Sequence, residues 1–130
     1  PVSFTGFLLQ DELKKVYNKT HILVLPTDPM LSSEGLSLAL IEGMSAGLPL
    51  IATNVGGNPE LINNGKNGFV MNAKENYEEE IAKYVEYLFL DKKKYLDFSR
   101  YSIFKYNKEF TVEKMTSNFS NALKTINFVN

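Results

Sequence analysis

The sequence predicts an α/β fold with three layers, in which a parallel β-sheet lies between helices. Short continuous apolar runs, typical of strands buried on both faces, alternate with segments of helical periodicity over the first two thirds of the chain. Such alternation predicts right-handed crossovers, which make consecutive strands parallel. We expect about four strands, followed by a C-terminal part made only of helices.

Each predicted strand is short, and most are followed by a residue that ends or turns the chain. The predicted strands are residues 2–5 before Gly6, 21–25 before Pro26, 49–53 before the Gly56-Gly57 loop, and 69–71. The predicted helices are residues 11–18, 34–46 with Gly47 as the stop, the single turn 59–62, and then 78–90 and 92–106. A last helical stripe contains Val112, Met115, Phe119, Leu123 and Ile126. We interpret this stripe, and the apolar stripes of the predicted helices 78–90 and 92–106, as core faces.

The composition excludes several classes of function. A chain of 130 residues fits one domain, and a formal net charge of −1 provides no basic surface for nucleic acid. The absence of cysteine excludes disulfides and thiolate sites and favours a reducing cytoplasm, while the lone His21 makes no metal site. No apolar run reaches the ~20 residues of a membrane-spanning helix. Because Pro1 enters a predicted strand at once, we expect a piece of a longer protein truncated at its N-terminus.

Two glutamates eight residues apart, Glu34 and Glu42, are the most informative feature of the sequence. The neighbours of Glu42 are apolar, so we expect a buried carboxylate, which needs hydrogen-bond donors. On one helix, eight residues at ~1.5 Å rise separate the pair by ~12 Å. Glycosidase carboxylate pairs lie only ~5–9.5 Å apart. The spacing therefore favours two anchors for hydroxyl groups at opposite ends of an extended ligand, such as a nucleoside diphosphate sugar.

The backbone between the two glutamates predicts an anion site. The N–H groups of Gly35, Leu36, Ser37 and Leu38 are expected at the helix N-terminus, whose dipole favours a phosphate. Gly35 would leave room for the phosphate to approach. The alternative is that Ser33 and Glu34 only cap the helix. Two glutamates on a largely apolar helix at the carboxyl end of a strand favour ligand binding.

A longer motif surrounds this pair. Residues 34–53 read Glu-Gly-Leu-Ser-Leu-Ala-Leu-Ile-Glu-Gly-Met-Ser-Ala-Gly-Leu-Pro-Leu-Ile-Ala-Thr, and residues 55–62 read Val-Gly-Gly-Asn-Pro-Glu-Leu-Ile. Two Asn-Gly turns at 64–65 and 67–68, a Val-x-Phe-x-Gly segment at 2–6 and a Leu-Pro-Thr segment at 25–27 complete the pattern. From residue 2 to about residue 71 the chain resembles the group 1 glycosyltransferases, family 4, which have the GT-B fold of two facing Rossmann-like domains.

The resemblance implies that residues 1–130 are the C-terminal, nucleotide-sugar-binding domain. Such an enzyme transfers a sugar from a UDP- or GDP-sugar to a sugar or lipid-linked acceptor, with retention and without a metal ion or other cofactor. By this resemblance Glu34 is the catalytic residue that contacts the donor sugar, and Glu42 holds the ribose hydroxyls. The backbone after Glu34 holds the diphosphate, Gly6 and Phe7 line the base pocket, and Thr27 contacts the donor or forms the turn after its strand.

The sequence departs from the family pattern in two ways. Leu36 and Ser37 stand where many relatives have Phe and Gly, which preserves the backbone donors but changes the shape near the sugar. The family's Arg and Lys that neutralise the leaving diphosphate, and the whole N-terminal acceptor domain, lie upstream of these residues. Because charge stabilisation is often the largest catalytic contribution, we expect the 130 residues alone to be inactive.

Family habit suggests bacterial polysaccharide or glycolipid synthesis, in the cytoplasm or peripherally at the cytoplasmic face of the membrane. Two other functions stay open: a non-catalytic nucleotide-binding or regulatory module with a flavodoxin-like sheet, and half of a GT-B epimerase or phosphorylase. The Glu-x7-Glu run favours the transferase. The Gly56-Gly57 loop is interpreted either as a simple turn or as a point of close ligand approach.

Overall fold

The computed structural model describes residues 2–28, 30, 35–72 and 76–126. Within them the chain forms ten elements: α1 (Gln10–Tyr17), β1 (Leu23–Leu25), α2 (Leu38–Ser45), β2 (Leu50–Thr53), α3 (Asn58–Leu61), β3 (Gly68–Met71), α4 (Tyr77–Leu90), α5 (Lys92–Lys105), a π-helical turn (Tyr106–Phe110) and α6 (Val112–Thr125). The alternation of strands and helices up to α4 confirms the predicted α/β class.

The sheet contains three parallel strands in the order β1-β2-β3. Leu23 of β1 lies opposite Leu50 of β2, and Leu50 lies opposite Gly68 of β3. All four residues of β2 are buried, as expected for the central strand of a sheet covered on both faces. The predicted parallel arrangement is confirmed, and the carboxyl ends of all three strands lie at one edge.

Helices cover both faces of the sheet, which confirms the three-layer prediction. On one face, Leu50, Ala52 and Val70 belong to a core that includes Leu40 and Met44 of α2. Because side chains alternate along a strand, Phe69 of β3 points to the opposite face. Its ring stacks on Tyr84 of α4 with centroids 4.2 Å apart, and lies 5.4 Å from the ring of Phe98 on α5. Tyr84 therefore serves in helix packing.

The predicted first strand, residues 2–5, is not formed. These residues adopt no regular structure, and the Phe4 side chain is 95% exposed. A strand exists only when a neighbour pairs with its backbone, and among the described residues β1 pairs with β2 alone. The prediction of a strand at residues 2–5 is wrong because a sequence pattern does not supply the partner.

Helix α2 begins later than predicted and ends where predicted. The prediction placed its start at Glu34, whereas Ser37 is the N-cap and accepts a hydrogen bond from the Leu40 N–H through its hydroxyl. At the other end, Gly47 has a φ of +73° and follows the last turn, as expected of a glycine stop. Gly35 and Leu36 therefore belong to a loop rather than to the helix.

The last helix differs from the sequence prediction. Leu88 of α4 and Phe98 of α5 are buried, as their stripes predict. The stripe of α6 is exposed along its whole length, and no residue of α6 is buried. The core assignment of this third stripe is wrong because α6 packs mainly against the π-helical turn. No helix in the described part of the chain has the length and apolar character needed to cross a membrane.

Candidate functional site

Hydrogen bonds join the loops that follow the three strands. After β1, the Thr27 carbonyl accepts a hydrogen bond of 2.8 Å from the hydroxyl of Thr53, the last residue of β2. After β2, the side-chain amide of Asn54 donates to the side-chain carbonyl of Asn72, beyond β3, over 2.8 Å. The carboxyl edge of the sheet, where open α/β sheets bind ligands, is therefore a connected set of loops.

The Gly56-Gly57 loop supports the segment that leads into α2. The N–H of Gly57 donates to the carbonyl of Gly35 over 2.8 Å. A Cβ at position 57 would lie 3.0 Å from that carbonyl oxygen and 2.9 Å from the Leu36 side chain. The backbone that approaches this loop closely is thus that of Gly35 and Leu36. The sequence left open a simple turn or a point of close ligand approach. In the structure the loop has a structural contact, which holds the segment that leads into α2.

The tip of α2 offers fewer N–H groups than the sequence predicted. Because the helix begins at Leu38, Gly35 and Leu36 lie in the preceding loop, and Ser37 is a buried cap. The residues four positions before Leu38 and Ala39 lie outside the helix. The helix itself therefore provides no carbonyl for these two N–H groups, which are the donors it leaves unused. Among the residues that the structure describes, a Cβ at Gly35 would meet nothing within 4 Å.

Glu42 is exposed, which corrects the prediction of a buried carboxylate. Leu40 and Met44 are fully buried, and Glu42 lies midway between them in sequence. Residues two apart on a helix point in nearly opposite directions, so the burial of Leu40 and Met44 turns Glu42 away from the core. Apolar neighbours in sequence therefore did not imply an apolar environment.

A tyrosine from α1 contacts this glutamate. The hydroxyl of Tyr17 donates a hydrogen bond of 3.0 Å to Oε2 of Glu42. Burial, followed by this hydrogen bond and the glutamate's charge, raises the pKa of Tyr17 to about 12. Tyr17 packs against the core cluster beneath α2, so its ring is held by apolar contacts while its hydroxyl reaches the surface.

Glu42 and Tyr17 lie on the wall of a cavity of about 460 Å³. This volume falls in the range of small-molecule sites, roughly 300–1,000 Å³. The cavity lies between α1, the C-terminal half of α2 and the start of the π-helical turn, and its lining residues are Gln10, Leu13, Lys14, Tyr17, Asn18, Glu42, Ser45, Ala46 and Tyr106. Of these residues, the sequence predicts only Glu42 as a site residue. Ser45 and Ala46 lie in the same motif, and the other lining residues come from segments outside it.

The structure does not bring every predicted residue to this cavity. Gly6 and Phe7 are absent from its lining, and the Phe7 side chain is 91% exposed. Thr27 is half-buried and lies at the strand ends. Glu34 lies outside the described residues. Because α2 starts at Leu38, the helical estimate of ~12 Å between Glu34 and Glu42 no longer applies.

A larger groove of about 670 Å³ offers less polar chemistry. Its lining residues are Ile22, Val24, Val85, Leu88, Phe89, His21, Lys92 and Tyr95, and no carboxylate is among these described residues. Among the described residues no three His, Asp or Glu side chains cluster in a way that would hold a metal ion. The cavity beside Glu42 therefore offers the richer set of polar groups.

The family profile described as "Glycosyl transferases group 1" matches residues 1–103. The chain belongs to the group 1 glycosyltransferases. Family membership favours a transferase over the regulatory module that the sequence left open.

Among curated relatives, this glycosyltransferase chain is 41% identical over 75 residues to a sulfoquinovosyl transferase of Arabidopsis thaliana, covering 55% of this chain and 14% of the relative. It is 33% identical over 76 residues to a GDP-mannose-dependent phosphatidylinositol monomannoside mannosyltransferase of Mycobacterium tuberculosis, covering 56% of this chain and 20% of the relative.

Solved glycosyltransferases have the same fold. An Anabaena protein in complex with UDP and glucose superposes with a TM-score of 0.81 at 20% identity, over 95% of this chain and 32% of that one. The C-terminal domain of a group 1 family glycosyl transferase from Francisella tularensis superposes with a TM-score of 0.69 at 22% identity, over 85% of this chain and 53% of that one. The chain therefore has the Rossmann-like fold of GT-B enzymes and spans a minor part of the curated relatives' length.

Proposed function

We propose that this glycosyltransferase chain is the C-terminal, donor-binding domain of a retaining family 4 enzyme that uses a nucleoside diphosphate sugar. The observation that carries the proposal is Glu42, an accessible carboxylate on the wall of a small-molecule-sized cavity that lies against the C-terminal half of α2. The fold shared with a protein crystallised with UDP and glucose supports a nucleotide-sugar ligand. The fold shared with a solved C-terminal domain supports the domain assignment.

The donor would lie along α2. Glu42 accepts hydrogen bonds from the ribose hydroxyls, for which an exposed carboxylate is better suited than a buried one. Leu38 is four residues away, about 6 Å along the helix axis. A diphosphate attached to the ribose then reaches the N–H groups of Leu38 and Ala39 and the positive end of the helix dipole. The base occupies the cavity beyond Glu42, and the sugar lies beyond the tip, near Gly35 and Leu36.

The transfer step needs more than these residues. Breaking the bond between the sugar and the diphosphate leaves a group that carries about two negative charges, and the unused N–H groups of α2 neutralise only part of them. The remaining charge would be met by cationic residues outside this chain, without a metal ion or other cofactor, as the family resemblance implies. Glu34 would contact the donor sugar, and the N-terminal domain would supply the acceptor site. The 130-residue chain alone is therefore inactive.

The biological setting follows the names of relatives. The mycobacterial relative is named for a lipid-linked mannoside, and a relative from Erwinia amylovora that is 34% identical over 71 residues is named for amylovoran biosynthesis. A sugar or lipid-linked acceptor in polysaccharide or glycolipid synthesis is consistent with both names. The proposed location is the cytoplasm, including the cytoplasmic face of the membrane.

Nucleotide binding by the chain itself tests the proposal. Titration with UDP and with GDP, followed by two-dimensional NMR, should shift the amide signals of Gln10, Leu38, Ala39 and Glu42. We expect weak binding, which Glu42→Ala reduces at least tenfold, because the ribose loses its charged acceptor. Glu79→Ala, which removes an exposed carboxylate on α4, is the matched control and should bind as the unchanged chain does. Signals that move only in regions far from α1 and α2 would refute the site.

A further inference from the structure

The contact between Tyr17 and Glu42 joins a half-buried side chain to an exposed one. Tyr17 packs on the core cluster through its ring, and α1 holds its backbone. Glu42 is exposed, so its three side-chain torsions are limited mainly by what its carboxylate binds. Among the described residues the Tyr17 hydroxyl, 3.0 Å away, is the one hydrogen-bond donor that reaches this carboxylate. The orientation of the Glu42 carboxylate is therefore set from α1.

The bond leaves the carboxylate able to bind a ligand. Tyr17 donates to Oε2, and an ionised carboxylate has about four acceptor positions on its two oxygens. Oε1 and the second acceptor position of Oε2 therefore stay available to a ligand. A pair of neighbouring hydroxyls, as on a ribose, presents two donors at the spacing that two carboxylate oxygens accept.

We propose that Tyr17 is a positioning residue that holds Glu42 oriented toward the two ribose hydroxyls of the nucleotide. This inference rests on the function proposed above and adds a specific requirement, a ribose with both hydroxyls. Ordering a long side chain at the moment of binding weakens affinity by about two- to tenfold. With Tyr17 present, that ordering already exists in the unliganded chain.

The phenol is suited to this role because it stays a donor. Its raised pKa, about 12, keeps the hydroxyl protonated at every pH at which nucleotides are ordinarily handled by proteins. A phenylalanine at position 17 would preserve the ring and its packing and would remove only the donor. The substitution therefore separates the hydrogen bond from the apolar contacts of the same side chain.

The experiment compares ribonucleotides with dideoxynucleotides in three chains. UDP, GDP and their 2′,3′-dideoxy analogues are titrated by NMR into the unchanged chain, Tyr17→Phe and Tyr84→Phe. Tyr84 is the matched control, because its hydroxyl donates to Oε1 of Glu80 over the same 3.0 Å, on α4 and outside the cavity. We expect Tyr17→Phe to weaken binding of the preferred ribonucleotide by about three- to tenfold and to leave the dideoxy analogue unaffected. Tyr84→Phe should change neither.

The outcomes separate the two proposals. If Tyr17→Phe prefers the ribonucleotide over its dideoxy analogue as strongly as the unchanged chain does, the role of Tyr17 is overturned. The proposed nucleotide site is then unaffected. Equal weakening of both analogues also overturns it, because Tyr17 would then act through the general shape of the cavity. Tighter ribonucleotide binding by Tyr17→Phe would mean that the bond competes with the ligand. If the unchanged chain binds none of the nucleotides, the proposed function fails, and the inference fails with it.

Discussion

The hydroxyl of Tyr17 and the carboxylate of Glu42 link two helices that the sequence describes separately. The motif in the sequence predicts Glu42 as a functional residue and gives no sign of Tyr17, since 25 residues separate the two. The sequence also predicts the wrong environment for Glu42, because its apolar neighbours face the core and turn it outward. The motif thus predicts which residue to test, whereas the burial and the partner of that residue depend on which helix face meets the sheet.

A titration tests this link without any ligand. Carbon-13 NMR of the tyrosine ring carbons should give a Tyr17 pKa of about 12. Glu42→Gln should lower that pKa by removing the charge and weakening the hydrogen bond, but leave it above the ordinary value of 10, because burial is the largest cause of the shift. In the unchanged chain, between pH 10 and 12, folded Tyr17 keeps a proton that Tyr17 of the unfolded chain has lost. The stability that this difference contributes is therefore retained below pH 10 and falls between pH 10 and 12. An unchanged Tyr17 pKa in Glu42→Gln would contradict the contact.

At the scale of elements, periodic patterns predict helices and strands but not the polar contacts that fasten them. The last residue of α5, Lys105, is buried beneath the end of α3. Its ammonium donates to the carbonyl of Glu60 over 2.6 Å and also to the side-chain carbonyl of Asn63. Burial lowers the pKa of Lys105. A lysine within a helical stripe is ordinarily taken as solvent-facing, so this contact could not be predicted from the sequence.

Removing the ammonium should destabilise the fold. Lys105→Met keeps most of the apolar stem but leaves the Glu60 carbonyl and Asn63 without their donor, at a cost of about 1–3 kcal/mol in the free energy of unfolding. Urea denaturation measures the change. Lys108→Met is the control, because Lys108 is exposed and its ammonium lies 3.9 Å from the Glu109 carboxylate in an exposed ion pair. Such pairs contribute little, so Lys108→Met should change the free energy of unfolding by less than about 0.5 kcal/mol. Equal stability of the two variants would show that Lys105 does not fasten α5 to α3.

For the whole molecule, the sequence predicts the layers but not the limits of the core. The three strands, of which β2 is fully buried, and the helices on both faces follow from apolar runs and their alternation with helical segments. Residues 2–5 and helix α6 have the same kinds of apolar pattern, yet the structure leaves both exposed. An apolar pattern states that a face is suited to burial, and whether it is buried depends on a neighbouring surface that the pattern does not contain. The comparison of α5 with α6 makes this difference measurable.

Two phenylalanines of equal size test where the core of this chain ends. Phe98 on α5 is 4% exposed and contacts the rings of Phe69 and Tyr87, whereas Phe119 on α6 is 66% exposed. Phe98→Ala should lower the free energy of unfolding by about 3–5 kcal/mol, because it removes buried apolar surface and leaves a cavity. Phe119→Ala should lower it by less than about 0.5 kcal/mol. Urea denaturation of both variants decides the matter, since a comparable loss from Phe119→Ala would mean that α6 packs onto the domain and that its stripe belongs to the core after all.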